Sequence, residues 1–337
     1  MGSDVIMWMD DLWDSQMEKT FKNIFDFAME EKLSLTKNPE RRLSTQNTIV
    51  RLRQSYKRYI SETQLENLIV TEITSRDIER NYRLNLARYD LRLRAVANLR
   101  TVYKYVFDTS MMEGWLKVNP FYQTNFKRYK DLIVPDSDLS ERGYTDDEMS
   151  RMRSYISDKL EEDPTDFSLQ ALKLQMMCGF RRGEIPPLRW EDVTEDYIWI
   201  HREQLLMKEG GAEIIVNHTK TWKDRYFPVT KEIRSFLDKL KEISKGEYLF
   251  PHKDGCITNQ SIYTRHYNMC LALGIPVLKD TIRGTHAFRR NAITEVINKS
   301  NGNIYLAAKL FGNSHNVIDA HYYLGVDLKG AKEILES

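Results

Sequence analysis

The chain has few cysteines, no long apolar run and almost no net charge, and each scarcity removes a class of protein. Its three cysteines, Cys178, Cys256 and Cys270, are odd in number and far apart. Neither a CxxC pair nor a histidine at metal-ligand spacing accompanies them. A disulfide framework and a zinc site are therefore not indicated, and all three read as small buried hydrophobes. No segment approaches the roughly 20 consecutive apolar residues that span a bilayer. From Met1 to Trp13 the chain carries aspartates in place of the basic region of a secretory signal. A cytoplasmic protein is expected. With 15 glycines and 9 prolines the chain is neither fibrous nor of low complexity. A net charge of +1 excludes a surface uniformly coated with one sign of charge.

What remains is the composition of an ordinary globular protein long enough for two domains, 41% apolar and 29% charged. The charge is unevenly spread. Residues 41–130 hold 18 Lys and Arg against 8 Asp and Glu, whereas residues 1–40 hold 4 lysines against 9 acids. A basic block between acidic flanks fits a nucleic-acid groove, because phosphate contacts dominate such affinity. A solvated basic helical face would look the same from charge alone.

Apolar residues recur at helical spacing in Phe21, Ile24, Phe25, Phe27 and Ala28. A second helix is predicted by Ser44-Thr45-Gln46-Asn47 ahead of Ile49, Leu52, Tyr56 and Ile60, with Ser44 or Thr45 as its cap. Thr74 or Ser75 should cap a third. A fourth is expected over about 91–108, with Val96, Leu99, Val102, Val106 and Phe107 inward and Arg92, Arg94, Arg100 and Lys104 outward, closed by Asn119-Pro120. The pattern then lapses between Tyr122 and Asp147. This divides the chain into an extension at 1–17, a helical domain at 18–130, a linker at 131–142 and a second domain at 143–337. In that domain helices are expected from Thr145 and over 167–177. Beyond Pro186-Pro187 the period falls to two at 197–201, 213–216 and 225–229, which predicts three short strands. Helices resume at 233–243, 259–273, 286–298, 304–310 and 328–335. The fold class is mainly α with a small antiparallel β-sheet (α+β).

Breaking a phosphodiester without a metal needs a nucleophile, cations facing the charge that develops on phosphorus, and an acid for the leaving oxygen. Four segments offer these groups. Cys178-Gly179-Phe180-Arg181-Arg182-Gly183-Glu184 and His286-Ala287-Phe288-Arg289 supply arginines, whose guanidinium groups grip phosphate oxygens in pairs. His286 and Arg289 fall on one helical face. His218-Thr219-Lys220-Thr221 supplies a lysine, and the run from Gly312 to Tyr323 supplies tyrosines.

In this order the four segments resemble the catalytic domain of the tyrosine recombinases, the phage-integrase family, and the helical first half resembles that family's core-binding domain. The family's box of Gly, apolar residue, Arg, two residues and Glu selects Arg181 over Arg182 and makes Glu184 a supporting residue. The resemblance implies that Lys220 protonates the leaving 5′ oxygen, with Lys223 as its rival, and that His286 and Arg289 act at the phosphate. Family spacing sets the nucleophile nine residues after the His or Trp that follows a glycine. Counted from Gly312-Asn313, this selects Tyr322 over Tyr323. It also makes Asn313 a departure, since an amide donates a hydrogen bond but is neither acid nor base. His315 or His321 could serve instead.

The resemblance further implies a C-shaped clamp on double-stranded DNA, a 3′-phosphotyrosine, a Holliday junction, and a homotetramer on two duplexes joined by exchange of C-terminal tails. No metal or other cofactor is implied. The reading is an integrase of a mobile element, acting at attachment or crossover sites. A type IB topoisomerase and a catalytically impaired DNA-binding relative are its alternatives. DNA contacts are expected at Arg51, Arg53, Lys57, Arg92, Arg94, Arg100, Lys127 and Arg265. Some members carry an N-terminal arm-binding domain, and Met1-Gly2-Ser3 reads as a cloning remnant where one could have been removed.

Overall fold

The structure, a computed structural model, describes residues 18–135, 140–253, 255–276 and 283–324. The extension at 1–17 and the tail helix expected at 328–335 lie outside the described residues. The chain forms two compact units that divide between residues 136 and 137.

The first unit packs four helices around an aromatic core. α1 (Phe21–Ser34) begins where the Thr20 hydroxyl accepts the Asn23 N–H at 3.2 Å. α2 (Pro39–Tyr59) starts earlier than the sequence predicts, because Asn38 Oδ1 accepts the Arg41 N–H at 3.0 Å and Pro39 takes the first helical position. Ser44 and Thr45 therefore lie inside the helix and do not cap it. α3 (Ser75–Arg88) opens with the Thr74 N–H donating to Asp77 Oδ2 at 3.0 Å. α4 (Leu93–Met112) buries Val96, Leu99, Val102, Val106 and Phe107. It ends before Asn119-Pro120, where a separate turn, Pro120–Gln123, begins.

Phe25 stacks on Tyr56 with ring centroids 4.5 Å apart, and Phe21 meets Phe107 edge-on at 5.8 Å. A buried polar chain crosses this core. The Tyr103 hydroxyl donates to Asn81 Oδ1 at 2.6 Å, and Asn85 Nδ2 donates to the Tyr59 carbonyl at 2.9 Å. Past Tyr122 the sequence shows no period, yet Phe126 is buried edge-on against Tyr82 at 5.0 Å and the Tyr129 hydroxyl donates to Glu79 at 3.1 Å. Isolated aromatics hold this segment, so no repeat announces it.

In the second unit α5 (Asp146–Glu162) opens on a capping box. The Glu148 N–H donates to the Thr145 hydroxyl at 3.2 Å, and the Thr145 N–H to Glu148 Oε2 at 2.9 Å. α6 (Phe167–Cys178) is buried on most sides. The strands β1 (Tyr197–Ile200), β2 (Glu203–Leu206), β3 (Glu213–Val216) and β4 (Arg225–Pro228) form two antiparallel ladders, β1 with β4 and β2 with β3. β2 escapes the sequence pattern because Glu203 and Gln204 are buried while Leu206 is exposed. A minimal hairpin joins β5 (Pro251–His252) to β6 (Gly255–Cys256).

α7 (Lys231–Ile243) buries Ile233, Phe236, Leu237 and Leu240. α8 (Asn259–Ala272), α9 (His286–Lys299) and α10 (Ile304–Phe311) match the expected helices to within a residue or two, whereas the short α11 (His315–His321) was not foreseen. Cys178 and Cys270 are buried, Cys256 is half-buried, and all three are unbridged. No helix among the described residues is long and apolar enough to cross a membrane. The end of α6, the β3–β4 loop, the start of α9 and the α10–α11 segment meet at one cleft.

Candidate active site

The cleft is built on a tight turn. Gly179 ends α6 in the left-handed region, at φ 62°. A Cβ at this position would lie 2.7 Å from the Ala292 Cβ and 3.3 Å from the Arg289 Cα, so α9 packs directly on the glycine. The chain then buries Phe180 and turns through Arg181 into the single 3₁₀ turn Arg182–Glu184. Glu184 is fully buried and tied four ways. Its carboxylate accepts the Arg181 N–H at 2.8 Å, Arg181 Nη1 at 2.9 Å, and a paired contact from Arg225 at 2.9 and 2.6 Å. Burial alone would raise its pKa, but Arg225, Arg181 and Arg289 outweigh burial and hold it at about 2.

Arg289 reaches the same point from α9. It is fully buried, with Nη1 donating to the Gly179 carbonyl at 3.1 Å and Nη2 to the Phe311 carbonyl and, at 3.1 Å, to Asn313 Oδ1. Burial and the Arg181 charge lower its pKa to about 9, which leaves it cationic at neutral pH. Arg181 Nη2 donates to the Gly312 carbonyl at 3.1 Å and also to Asn313 Oδ1. Guanidinium groups only donate, so the amide oxygen of Asn313 must face both arginines. Its Nδ2 is buried without a hydrogen-bond partner.

Tyr322 lies at the end of α11 with its hydroxyl 2.8 Å from His286 Nε2 and its ring 5.8 Å from the Arg289 guanidinium. Packing around the imidazole and, after it, the charges of Arg289, Arg290, Arg181 and Lys220 lower the His286 pKa to about 3. Solvent still reaches this ring, so the four like charges are the firmer of the two causes. His286 is therefore neutral at physiological pH. Lys220 and Lys223 both line the cleft of about 1000 Å³, together with Arg181, His286, Asn313 and Tyr322.

Of the rivals that the sequence offers, Lys223 lines the cleft beside Lys220. Tyr323 donates to Asn298 Oδ1 at 3.2 Å, and Arg290 Nε donates to the His321 carbonyl at 3.3 Å. The guanidinium of Arg182 lies 5.2 Å from the Tyr263 ring centre, and His315 sits 5.2 Å from the Tyr305 ring. Arg225 was missed by sequence reasoning. Its only local signal is a charged residue at an inward position of a strand whose burial alternates.

Of the residues expected to touch DNA, Arg53, Lys57, Arg94, Arg100 and Lys127 are exposed, while Arg51 and Arg92 are half-buried. The Arg100 guanidinium lies over Phe126 at 4.6 Å. Arg265 is exposed but paired with Asp166 at 2.8 Å, so its charge is partly spent within the protein.

A family model described as the phage integrase family matches residues 142–324. The fold is similar to that of the Tn1549 transposon integrase in complex with a circular intermediate DNA. That match has a TM-score of 0.71 and 16% identity, and covers 94% of this chain and 99% of that one. It is also similar to a lambda integrase tetramer bound to a Holliday junction, with a TM-score of 0.63, 15% identity, and coverage of 94% and 80%. No curated protein sequence matches the chain.

Proposed function

The chain belongs to the phage integrase family, and on that premise we propose that it is a site-specific recombinase of a mobile element that cuts and rejoins double-stranded DNA through Tyr322. The observation that carries the proposal is the 2.8 Å contact of the Tyr322 hydroxyl with a neutral histidine, beside two buried or nearly buried arginines. A phenol is a poor nucleophile unless a base takes its proton and cations stabilise the charge it creates. His286 Nε2 is placed to accept that proton. Arg181 and Arg289 hold the non-bridging oxygens, and the unpartnered Nδ2 of Asn313 gives them a further donor.

The oxygen of Tyr322 bonds to phosphorus, the bond from phosphorus to the 5′ oxygen breaks, and Lys220 gives that oxygen a proton. The products are a 3′-phosphotyrosine and a 5′ hydroxyl. Attack by the 5′ hydroxyl of a partner strand reverses the chemistry on a new partner, by way of a Holliday junction in a tetramer on two duplexes. The fold likeness to integrases described with circular intermediate DNA and with a Holliday junction supports this part of the reading.

A duplex nicked close to its cleavage site tests the assignment, since loss of the short 5′ fragment traps the covalent adduct. Wild-type protein is expected to form the adduct and Tyr322→Phe to form none. Lys220→Ala should slow adduct formation by about 10²–10⁴-fold, the usual worth of a positioned general acid. An adduct that persists in Tyr322→Phe overturns the nucleophile assignment. Relaxation of plasmid DNA lacking any specific site, by a monomer, favours a type IB topoisomerase, which rejoins the same strand, over recombination.

A further inference from the structure

We propose that His218 and Trp222 are positioning residues for strand cleavage, their stacked rings closing the turn that carries Lys220 into the cleft. The proposal rests on the reading of Tyr322 and Lys220 given above. Lys220 and Thr221 stand at the centre of a four-residue turn in the β3–β4 loop, where the Trp222 N–H donates to the Thr219 carbonyl at 2.9 Å. Thr219 anchors that turn. It is fully buried, its hydroxyl donates to the Lys223 carbonyl at 2.9 Å, and its carbonyl also accepts from His218 Nδ1 at 3.0 Å. A carbonyl only accepts, so His218 Nδ1 carries a proton.

The ring of His218 lies flat against that of Trp222, with centroids 3.6 Å apart and planes 13° from parallel. His218 is buried, at 4% exposure, whereas Trp222 is 38% exposed. Trp222 also holds a φ of 56°, in the left-handed region that a bulky side chain rarely occupies. A residue in that conformation persists only where its surroundings hold it. The stack does so, joining the residue before the turn to the residue that ends it. Hydrogen bonds and stack together fix the backbone at Lys220, whose side chain reaches the cleft that Arg181, His286 and Tyr322 also line. A general acid works only within hydrogen-bond reach of the oxygen it protonates. A lysine has a flexible four-carbon stem, so the precision must come from the turn beneath it.

Single-turnover adduct formation on the nicked duplex, with protein in excess, tests the proposal. Trp222→Ala removes the exposed half of the stack. It is expected to slow adduct formation by about 10²-fold, the scale of a small misplacement of a reacting group, with DNA affinity unchanged. Trp222→Phe keeps a flat ring against the imidazole and should recover most of the rate. His218→Ala should match Trp222→Ala, and the two together should cost no more than either alone. In a Lys220→Ala background neither variant should slow the reaction further, because the group they place is gone.

A duplex whose leaving oxygen is replaced by sulfur separates positioning from general damage, because a thiolate departs without a proton. On it, the defects of Trp222→Ala and of Lys220→Ala should both disappear. A wild-type rate in Trp222→Ala, a Trp222→Ala defect that the sulfur substrate does not relieve, or a loss of DNA affinity that accounts for the defect overturns the proposal. Absence of any wild-type adduct, or a Lys220→Ala defect that sulfur leaves in place, overturns the reading of Tyr322 or Lys220 instead.

Discussion

Glu184 holds the cationic centre together. A fully buried carboxylate that accepts from Arg181 and Arg225 and lies close to Arg289 compensates charges that would otherwise repel one another. Glu184→Gln keeps the shape and removes the charge, and it should cost about 3–5 kcal/mol, the scale of breaking a buried ion pair. Denaturant unfolding measures the loss. The pKa of Glu184 is depressed from 4.5 to about 2, so its contribution is complete above pH 4.5 and disappears as pH falls toward 2.

Glu203 has the opposite sign. Its pKa is raised from 4.5 to about 7, so ionising it costs stability progressively as pH rises through that window, and the cost is complete above it. Glu203→Gln should therefore raise thermal stability at about pH 8, by on the order of 3 kcal/mol, and leave it unchanged at about pH 4. Legibility at this scale follows sequence distance. The spacing from Gly312 to Tyr322 and the HxxR pair can be read from short runs. The contact between Glu184 and Arg225 spans 41 residues and depends on how a strand closes over a turn, which no local pattern encodes.

The turn at Gly179 is the element that brings the two arginines together. Its left-handed φ and its approach to α9 leave no room for a side chain. Gly179→Ala must shift α9, and it should destabilise the fold by about 2–4 kcal/mol through backbone strain and overpacking together. Because Arg289 also donates to the Gly179 carbonyl, adduct formation should fall as well, beyond what the lost stability explains at a temperature where the variant is folded.

Helices with a clear apolar stripe, such as α1, α4 and α7, were legible from spacing. α2 was misjudged at its start because residues 39–48 are mostly polar and contain no buried apolar side chain, so Asn38-Pro39 was the only available signal. β2 was missed for a related reason: it turns Glu203 and Gln204 inward.

Across the whole molecule, charge and chemistry are divided between two units. The basic surplus lies at 41–130, in the first unit, while the tyrosine, histidine and arginines of the cleft lie in the second. Substitutions in the two units should therefore differ in kind. Replacing Arg94 or Lys127 by Ala should weaken binding to all DNA sequences and lower the slope of log affinity against log salt by about one, provided each contacts a phosphate. Salt titrations of DNA binding check this. Tyr322→Phe should leave that slope unchanged.

The most direct measurement is peptide mapping of the trapped protein–DNA adduct by mass spectrometry. The account predicts that the DNA is joined through a 3′ phosphate to the peptide containing Tyr322 and at that residue. Linkage at Tyr323 or any other residue, or tight DNA binding without an adduct, would contradict it.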